Sequence, residues 1–402
     1  MTHSDSLIQP ARLAQLALEL VSIASPTGDS RRAAEWYAER LREIGLPVQV
    51  DEELPESPSV VAYLEGPYGA SAHGQGAHPG PTLELAGHLD VIPVADDPPS
   101  IREGILYGRG ACDMKGSLAA VLEATRALSE MRARLHGRLM ICAYGYHEAP
   151  LGRGQNLSRL LERGIVGDAV IVVEGPADEV AVIGKGMSTY EIHIEREGEP
   201  LHEVQAPQGT PHPILIGLEV ANALVAWNEE LQRGEDLPYV GPESVFIGQF
   251  ESGDFYNRVP TRCHIVGTRR YAPHKRFPEV EAEFQARLDP IRAHTPAKIR
   301  LDLVKTKDGF RVHEDDRLVR ALQTGYREVT GRHLPASGFK AVADASNFVN
   351  EGGVPAVYFG CGLERAHATP EFVALARLEQ LARVLVATAV QYLGKANEET
   401  ER

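Results

Sequence analysis

Residues 82–90 read Thr-Leu-Glu-Leu-Ala-Gly-His-Leu-Asp. The first five have the composition of a β-strand, and Gly87 ends the run before His88 and Asp90. In an extended chain, residues two apart point the same way, so His88 and Asp90 share a face. A strand that delivers an imidazole and a carboxylate at its end suits a metal ligand whose other ring nitrogen is held by an acid. Taken alone, His88 reads more readily as a buried, hydrogen-bonded histidine at a strand end than as a ligand.

Outward from this strand, the pattern alternates. Two amphipathic helices are expected at 12–23 and 31–44, separated by the turn and N-cap residues Ser25-Pro26-Thr27-Gly28-Asp29-Ser30. A strand follows at 59–64, then a Gly/Ala/His loop at 66–80 whose His73 and His78 read as solvated loop histidines. After the central strand come a helix at 115–131, a strand at 138–143, a helix at 156–163 and a strand at 169–173. Strands alternating with helices predict a layered α/β domain with a largely parallel sheet. The middle of the chain differs: strand 189–195, helix 213–231, strands 244–251 and 262–270, helix 278–293 and strand 298–305. That βαββαβ order is ferredoxin-like and can stand as its own unit. Helix 316–329, strand 356–359 and helix 375–393 then complete the first domain. The expected organisation is a domain split between 1–186 and 309–402, with 187–308 inserted into it.

The bulk properties narrow the function. A chain of 402 residues exceeds one compact core, and 43% hydrophobic with 24% charged residues is ordinary for a globular protein. A formal net charge of −15 disfavours nucleic acid and anionic membranes as partners. No apolar run is long enough to span a bilayer, and no secretory leader is visible at the N-terminus. Cys112, Cys142, Cys263 and Cys361 are scattered without paired spacing, which suits a reduced, cytoplasmic protein.

Four further segments carry chemistry. Gly108-Arg109-Gly110-Ala111-Cys112-Asp113-Met114-Lys115-Gly116 is a glycine-rich turn entering a helix. A carboxylate there can bridge two cations, and its glycines permit close backbone approach; Asp113 as a helix N-cap is the alternative. No Gly-Lys-Ser/Thr ending is present, so a phosphate loop is a poor fit. His147-Glu148 follows one apolar strand and Glu174 ends another, at the edge where α/β sheets bind ligands. His367 lies in Ala366-His367-Ala368-Thr369-Pro370-Glu371, after the turn Gly360-Cys361-Gly362. Together, two histidines (His88, His367) and three carboxylates (Asp113, Glu148, Glu174) suit divalent metals such as zinc. Two such metals can activate water and polarise a carbonyl.

In the order and surroundings of these residues, the chain resembles the dinuclear metallopeptidase family of aminoacylases, acetylornithine deacetylases, succinyl-diaminopimelate desuccinylases and glutamate carboxypeptidases. The resemblance covers nearly the whole chain. It rests chiefly on Gly87-His88-Leu89-Asp90-Val91-Ile92-Pro93 and on Tyr107-Gly108-Arg109-Gly110 through Asp113-Met114-Lys115-Gly116, with Glu174-Gly175-Pro176 and Ala366-His367. It implies that His88 and Glu174 bind one metal, Glu148 and His367 the other, that Asp113 bridges them and that Asp90 orients His88. The inserted unit resembles the family's lid and dimerisation domain. There, His202 matches a histidine that reaches a neighbouring subunit's site to stabilise an oxyanion, and Asn257 and Arg270 match residues that grip a substrate carboxylate. An arginine fork suits that task. The implied protein is a homodimer holding two divalent metal ions, with zinc expected and cobalt or manganese as alternatives. The implied activity is hydrolysis of the amide bond of a small N-acyl amino acid or peptide by metal-activated water.

Two departures stand out. The family usually has adjacent glutamates where this chain has His147-Glu148. Counting from Gly137 keeps Glu148 as ligand and puts His147 in the place of the general base. An imidazole can take and return a proton, but it can also serve as an extra metal ligand. The alternatives are therefore a metal-binding protein that has lost its base, or a non-hydrolytic C–N bond variant. Gly360-Cys361-Gly362 replaces the usual Gly-Pro-Gly near the substrate, where Gly362 is expected to lie.

Overall fold

A computed structural model describes residues 7–67, 80–342 and 344–394; His73 and His78 lie outside them. The chain divides into two compact units: residues 1–182, 312–337 and 343–402 form one, and residues 183–311 with 338–342 form the other.

The first unit is built on a sheet whose spatial order is Val48–Asp51, Ser59–Glu65, Arg138–Tyr144, Thr82–His88, Ala169–Val172, Ala356–Tyr358 and Val180–Gly184. Its centre is parallel, as the alternation predicts: Thr82–His88 pairs in parallel with both Arg138–Tyr144 and Ala169–Val172, and Ala356–Tyr358 extends the set. Its flanks are antiparallel, so the whole is a mixed sheet. The physical reason is connection length: Val48–Asp51 and Ser59–Glu65 are joined too closely for the crossover that a parallel pair needs. Every residue of Thr82–His88 is buried. Helix Lys115–Glu130 is buried almost all round, packed against Pro10–Ser22 and Leu375–Leu393.

This register decides where chemistry can occur. His88 pairs with Tyr144, and Ala86 with Val172. The segments carrying His88, His147-Glu148 and Glu174 therefore leave the sheet side by side at its C-terminal edge. A small sheet that the sequence did not suggest adds the remaining parts. Strands Ser100–Arg102, Ile105–Tyr107 and Phe372–Ala374 pair so that Tyr107 faces Phe372, which draws the Asp113 loop toward the His367 segment.

The second unit has a four-stranded antiparallel sheet in the order Ser244–Ser252, Arg262–Tyr271, Gly186–Glu195, Lys298–Lys307. With helices Pro213–Gln232 and Phe277–His294 it gives the expected βαββαβ order. Gly186–Glu195 alternates strictly, sending Tyr190, Ile192 and Ile194 into a core with Val220, Trp227 and Phe284. Its other face carries Met187, Thr189, Glu191, His193 and Glu195.

Candidate metal centre

At the end of the central strand, His88 is fully buried and its Nδ1 lies 2.9 Å from the backbone oxygen of Asp90. The Asp90 carboxylate is 3.7 Å away, so the orienting contact runs through the carbonyl rather than through the side chain. That carboxylate accepts from Thr27 Oγ1 at 2.8 Å and from the backbone N–H of both His147 and Glu148 at 3.0 Å. Asp90 thus fixes the backbone that presents two further site residues.

Asp113 is the centre of the arrangement. Its Oδ1 lies 3.2 Å from His88 Nε2 and its Oδ2 lies 3.4 Å from His367 Nε2. It does not cap the following helix, whose N-cap position is Met114 without a side-chain cap bond. His367 Nε2 also lies 3.0 Å from Glu148 Oε1. His367 itself has φ +60°, a left-handed conformation unusual for a residue with a side chain and characteristic of functional sites. Gly110 has φ +89°, and a Cβ there would meet Lys115 Cε at 2.6 Å, which explains one glycine of the turn. Gly360 lets the turn before His367 press on the Glu174 backbone, and Gly362 N donates to Gly175 O at 3.0 Å.

Two residues missed by sequence reasoning brace the site. Glu371, 1% exposed, accepts from the N–H of Cys112 at 3.0 Å and of Asp113 at 3.1 Å, and pairs with Arg109 at 2.9 Å. It lay in the segment read around His367, but nothing in its spacing marked it. Asp344, fully buried, lies 2.7 Å from His147 Nδ1 and accepts from Tyr144 Oη at 2.9 Å. No signal near residue 344 tied it to residue 147. Lys115 is buried too, donating to Ile23 O at 2.7 Å and Ser25 Oγ at 3.1 Å. Burial pushes its ammonium down to about 7.

The electrostatics favour a cation. Burial opposes charging of His88, yet the Asp113, Asp90 and Glu148 carboxylates hold its pKa well above the ordinary value. Hydrogen bonds to Asp113 and Glu148 raise His367 to about 10. Burial lifts Glu174 to about 7, and its Oε2 is buried with no hydrogen-bond partner among the described residues. A buried carboxylate oxygen without a donor calls for an ion or a proton. Among the described residues, His88, Asp113 and Glu148 form one group able to hold a metal, and His88, His147 and Glu174 form another. With this donor set, the residues fit divalent cations of the zinc class.

His147 needs a further distinction. Its ring stacks on His88 with centroids 4.0 Å apart and planes 2° from parallel. Nδ1 bonds hold both rings in place. His147 thus lies beside a candidate ligand group on one side and Asp344 on the other, in reach of either role, base or metal ligand. His202, Asn257 and Arg270 lie in the second unit, where Asn257 Nδ2 is 3.0 Å from His202 Nε2 and Arg270 Nη1 donates to Lys340 O at 3.4 Å.

Residues 85–391 match the model of Peptidase family M20/M25/M40. The chain belongs to that family. The M20 chain is 27% identical, over 96% of its length and 95% of the relative's, to N-formyl-4-amino-5-aminomethyl-2-methylpyrimidine deformylase of Halalkalibacterium halodurans. It is 29% identical, over 93% and 95%, to succinyl-diaminopimelate desuccinylase of Methylobacterium radiotolerans. Its fold is similar to that of aminopeptidase PepT from Bacillus cereus, with TM-score 0.80, 20% identity and 96% and 99% coverage. It is similar also to a dinuclear metal-binding M20 peptidase from Bacillus subtilis, with TM-score 0.69, 16% identity and 96% and 98% coverage. This M20 protein is therefore an enzyme of the hydrolase class, with a metallopeptidase fold and metal-ligating groups at its sheet edge.

Proposed function

We propose that this M20 enzyme hydrolyses the amide bond of a small N-acyl amino acid or peptide, using two divalent cations, zinc in the first instance. The observation that carries this reading is Asp113, whose two oxygens face two histidines from distant parts of the chain. His88, Asp113 and Glu174 would hold one cation, and Asp113, Glu148 and His367 the other. When bound, the cations supply Lewis-acid polarisation of the amide carbonyl and acidify the attacking water. The chain's own residues move the proton. Asp344 would accept a hydrogen bond from the Nδ1–H of His147, which keeps that proton on the ring and leaves Nε2 as the acceptor for the proton of water and its later donor to the leaving nitrogen. Tyr144 donates to the same Asp344 oxygen and holds that carboxylate in place. In the second unit, His202 is assigned to the oxyanion of a neighbouring subunit, and Asn257 and Arg270 to the substrate carboxylate.

By their names, one relative deformylates an N-formyl compound and the other is a desuccinylase, which supports an N-acyl substrate. Homodimer formation through the second unit is supported by its edge strand and first helix, which expose Phe246, Phe250, Leu215, Leu218 and Val225. A cytoplasmic setting is supported by four free, buried cysteines, and no described helix is long and apolar enough to cross a membrane.

The test is hydrolysis of a panel of N-formyl, N-acetyl and N-succinyl amino acids and dipeptides, with a chelated control. Chelator-sensitive cleavage is expected. Absence of cleavage from protein that carries both cations would overturn the reading in favour of a binding protein without a working base.

A further inference from the structure

The face of the second unit's sheet turned away from its core carries a cluster that the proposed reaction does not use. Because Gly186–Glu195 alternates, Glu191 and His193 point away from the core that takes Tyr190, Ile192 and Ile194. On the adjacent strand, Cys263 and Ile265 enter the core, so His264 also points away from it. His264 is directly opposite His193, and Glu191 is opposite Asp302 on the strand at the other side. Directly opposed side chains on paired strands are held about 5 Å apart at Cβ by the ladder itself.

The donor atoms converge. His264 Nε2 lies 2.9 Å from Glu191 Oε2, and His193 Nε2 lies 3.6 Å from the same oxygen. His193 Nε2 is also 3.3 Å from Asp302 Oδ2, an acid that Arg300 engages as well. Ligand atoms of Glu191, His193 and His264 all lie within 4.8 Å of one another. A surface hydrogen-bond cluster accounts for the His264–Glu191 contact, and such contacts contribute little stability. It leaves His193 Nε2 between two carboxylates, 3.3 Å from Asp302 Oδ2 and 3.6 Å from the Glu191 oxygen that already faces His264.

We propose that Glu191, His193 and His264 bind a divalent cation of the zinc class on the outer face of the second unit's sheet, with Asp302 as a neighbouring acceptor. Two imidazoles and a carboxylate are a zinc-type donor set, whereas magnesium and calcium take oxygen ligands. Binding requires the three atoms to close to about 3.3 Å, the ligand spacing of a tetrahedral zinc site. The rings are stacked, with centroids 4.4 Å apart and planes 15° from parallel, so they must fan apart about χ2. Side-chain exposures of 23% for His193 and 31% for His264 leave that movement free, unlike the fully buried His88.

The full-length protein, stripped and then titrated with zinc against a weak chelator, is measured by metal analysis after desalting. Wild type is expected to retain one more zinc per chain than His193→Ala/His264→Ala, with turnover of the catalytic centre unchanged. Glu191→Gln keeps the shape of the exposed face and is expected to weaken the same equivalent at least tenfold, so a folding defect in the double variant does not decide the matter. Equal zinc content and affinity in wild type and both variants overturns the proposal. The comparison is a difference of one equivalent, so it reads independently of whether the catalytic pair loads.

Discussion

His147 Nδ1 lies 2.7 Å from Asp344 Oδ2, and Tyr144 Oη donates to that same oxygen at 2.9 Å. The pairing ties residue 147 to a carboxylate far along the chain, and it sets which imidazole nitrogen is free. Asp344→Asn is expected to lower kcat by about 100- to 10,000-fold with bound metal and KM little changed. In a His147→Glu background a carboxylate needs no tautomer to be set, so the same substitution should cost less than about tenfold. A double-mutant cycle checks this. Equal losses in both backgrounds would show that Asp344 merely supports the fold.

His147→Ala separates base from ligand. If His147 is the base and not a ligand, turnover should vanish while metal analysis still finds the cations of the wild-type enzyme. Loss of one cation from this variant would assign His147 to the coordination sphere.

Glu371 offers a test of bracing at a distance from substrate. Its carboxylate holds the N–H groups of Cys112 and Asp113. Glu371→Ala leaves those buried donors without an acceptor, so zinc affinity at the centre should fall about 10- to 100-fold, with a lower Tm. Titration against a chromogenic chelator reads the first effect and calorimetry the second.

Chelation should destabilise the protein as well as silence it. Asp113, Glu148 and Glu174 sit together at a buried edge, and an ion that binds only the folded state adds stability by mass action. Zinc at about 100 times its Kd should add about 2.7 kcal/mol to unfolding, measured by urea titration with and without chelator.

Away from the centre, Glu84 in the fully buried strand Thr82–His88 gives a stability profile with a defined sign. Burial raises its carboxyl from 4.5 to about 7, and only Gly167 N donates to it among the described backbone groups, at 2.8 Å. Its folded pKa is raised, so its contribution is whole below about pH 4.5 and is lost as pH climbs through 7. The loss amounts to about 3 kcal/mol at alkaline pH. Glu84→Gln should flatten that part of the slope between pH 5 and 8 in urea unfolding. A slope identical to wild type would show that Glu84 is ionised throughout.

The centre of the fold was legible because its signals are local. The strand-like composition of 82–86 and the apolar runs at 138–143 and 169–173 are properties of neighbouring residues, and they located the parallel core. The βαββαβ unit was legible for the same reason. What escaped were pairings between distant short segments. Phe372–Ala374 against Ile105–Tyr107 is too brief to show a period, yet it joins the Asp113 loop to the His367 segment. Asp344 and Glu371 act through hydrogen bonds to residues about 200 and 260 positions away, a relation that no local pattern encodes. The five candidate ligands were picked out by their place at the ends of elements and in turns and by the family resemblance, whereas the direction of each contact was not. Asp90 illustrates the difference: sharing a face with His88 was readable, but use of its carbonyl for the ring and its carboxylate for two backbone amides was not.

Glu148 precedes the second unit in sequence and His367 follows it, and the two side chains touch. A cation gripped between them would close a ring of chain that contains the entire inserted unit, acting as a removable clasp. A protein nicked once by protease in an exposed turn of that unit should then migrate as one body while loaded. Part of what holds its two pieces together would leave with the metal, so a chelator should weaken their association.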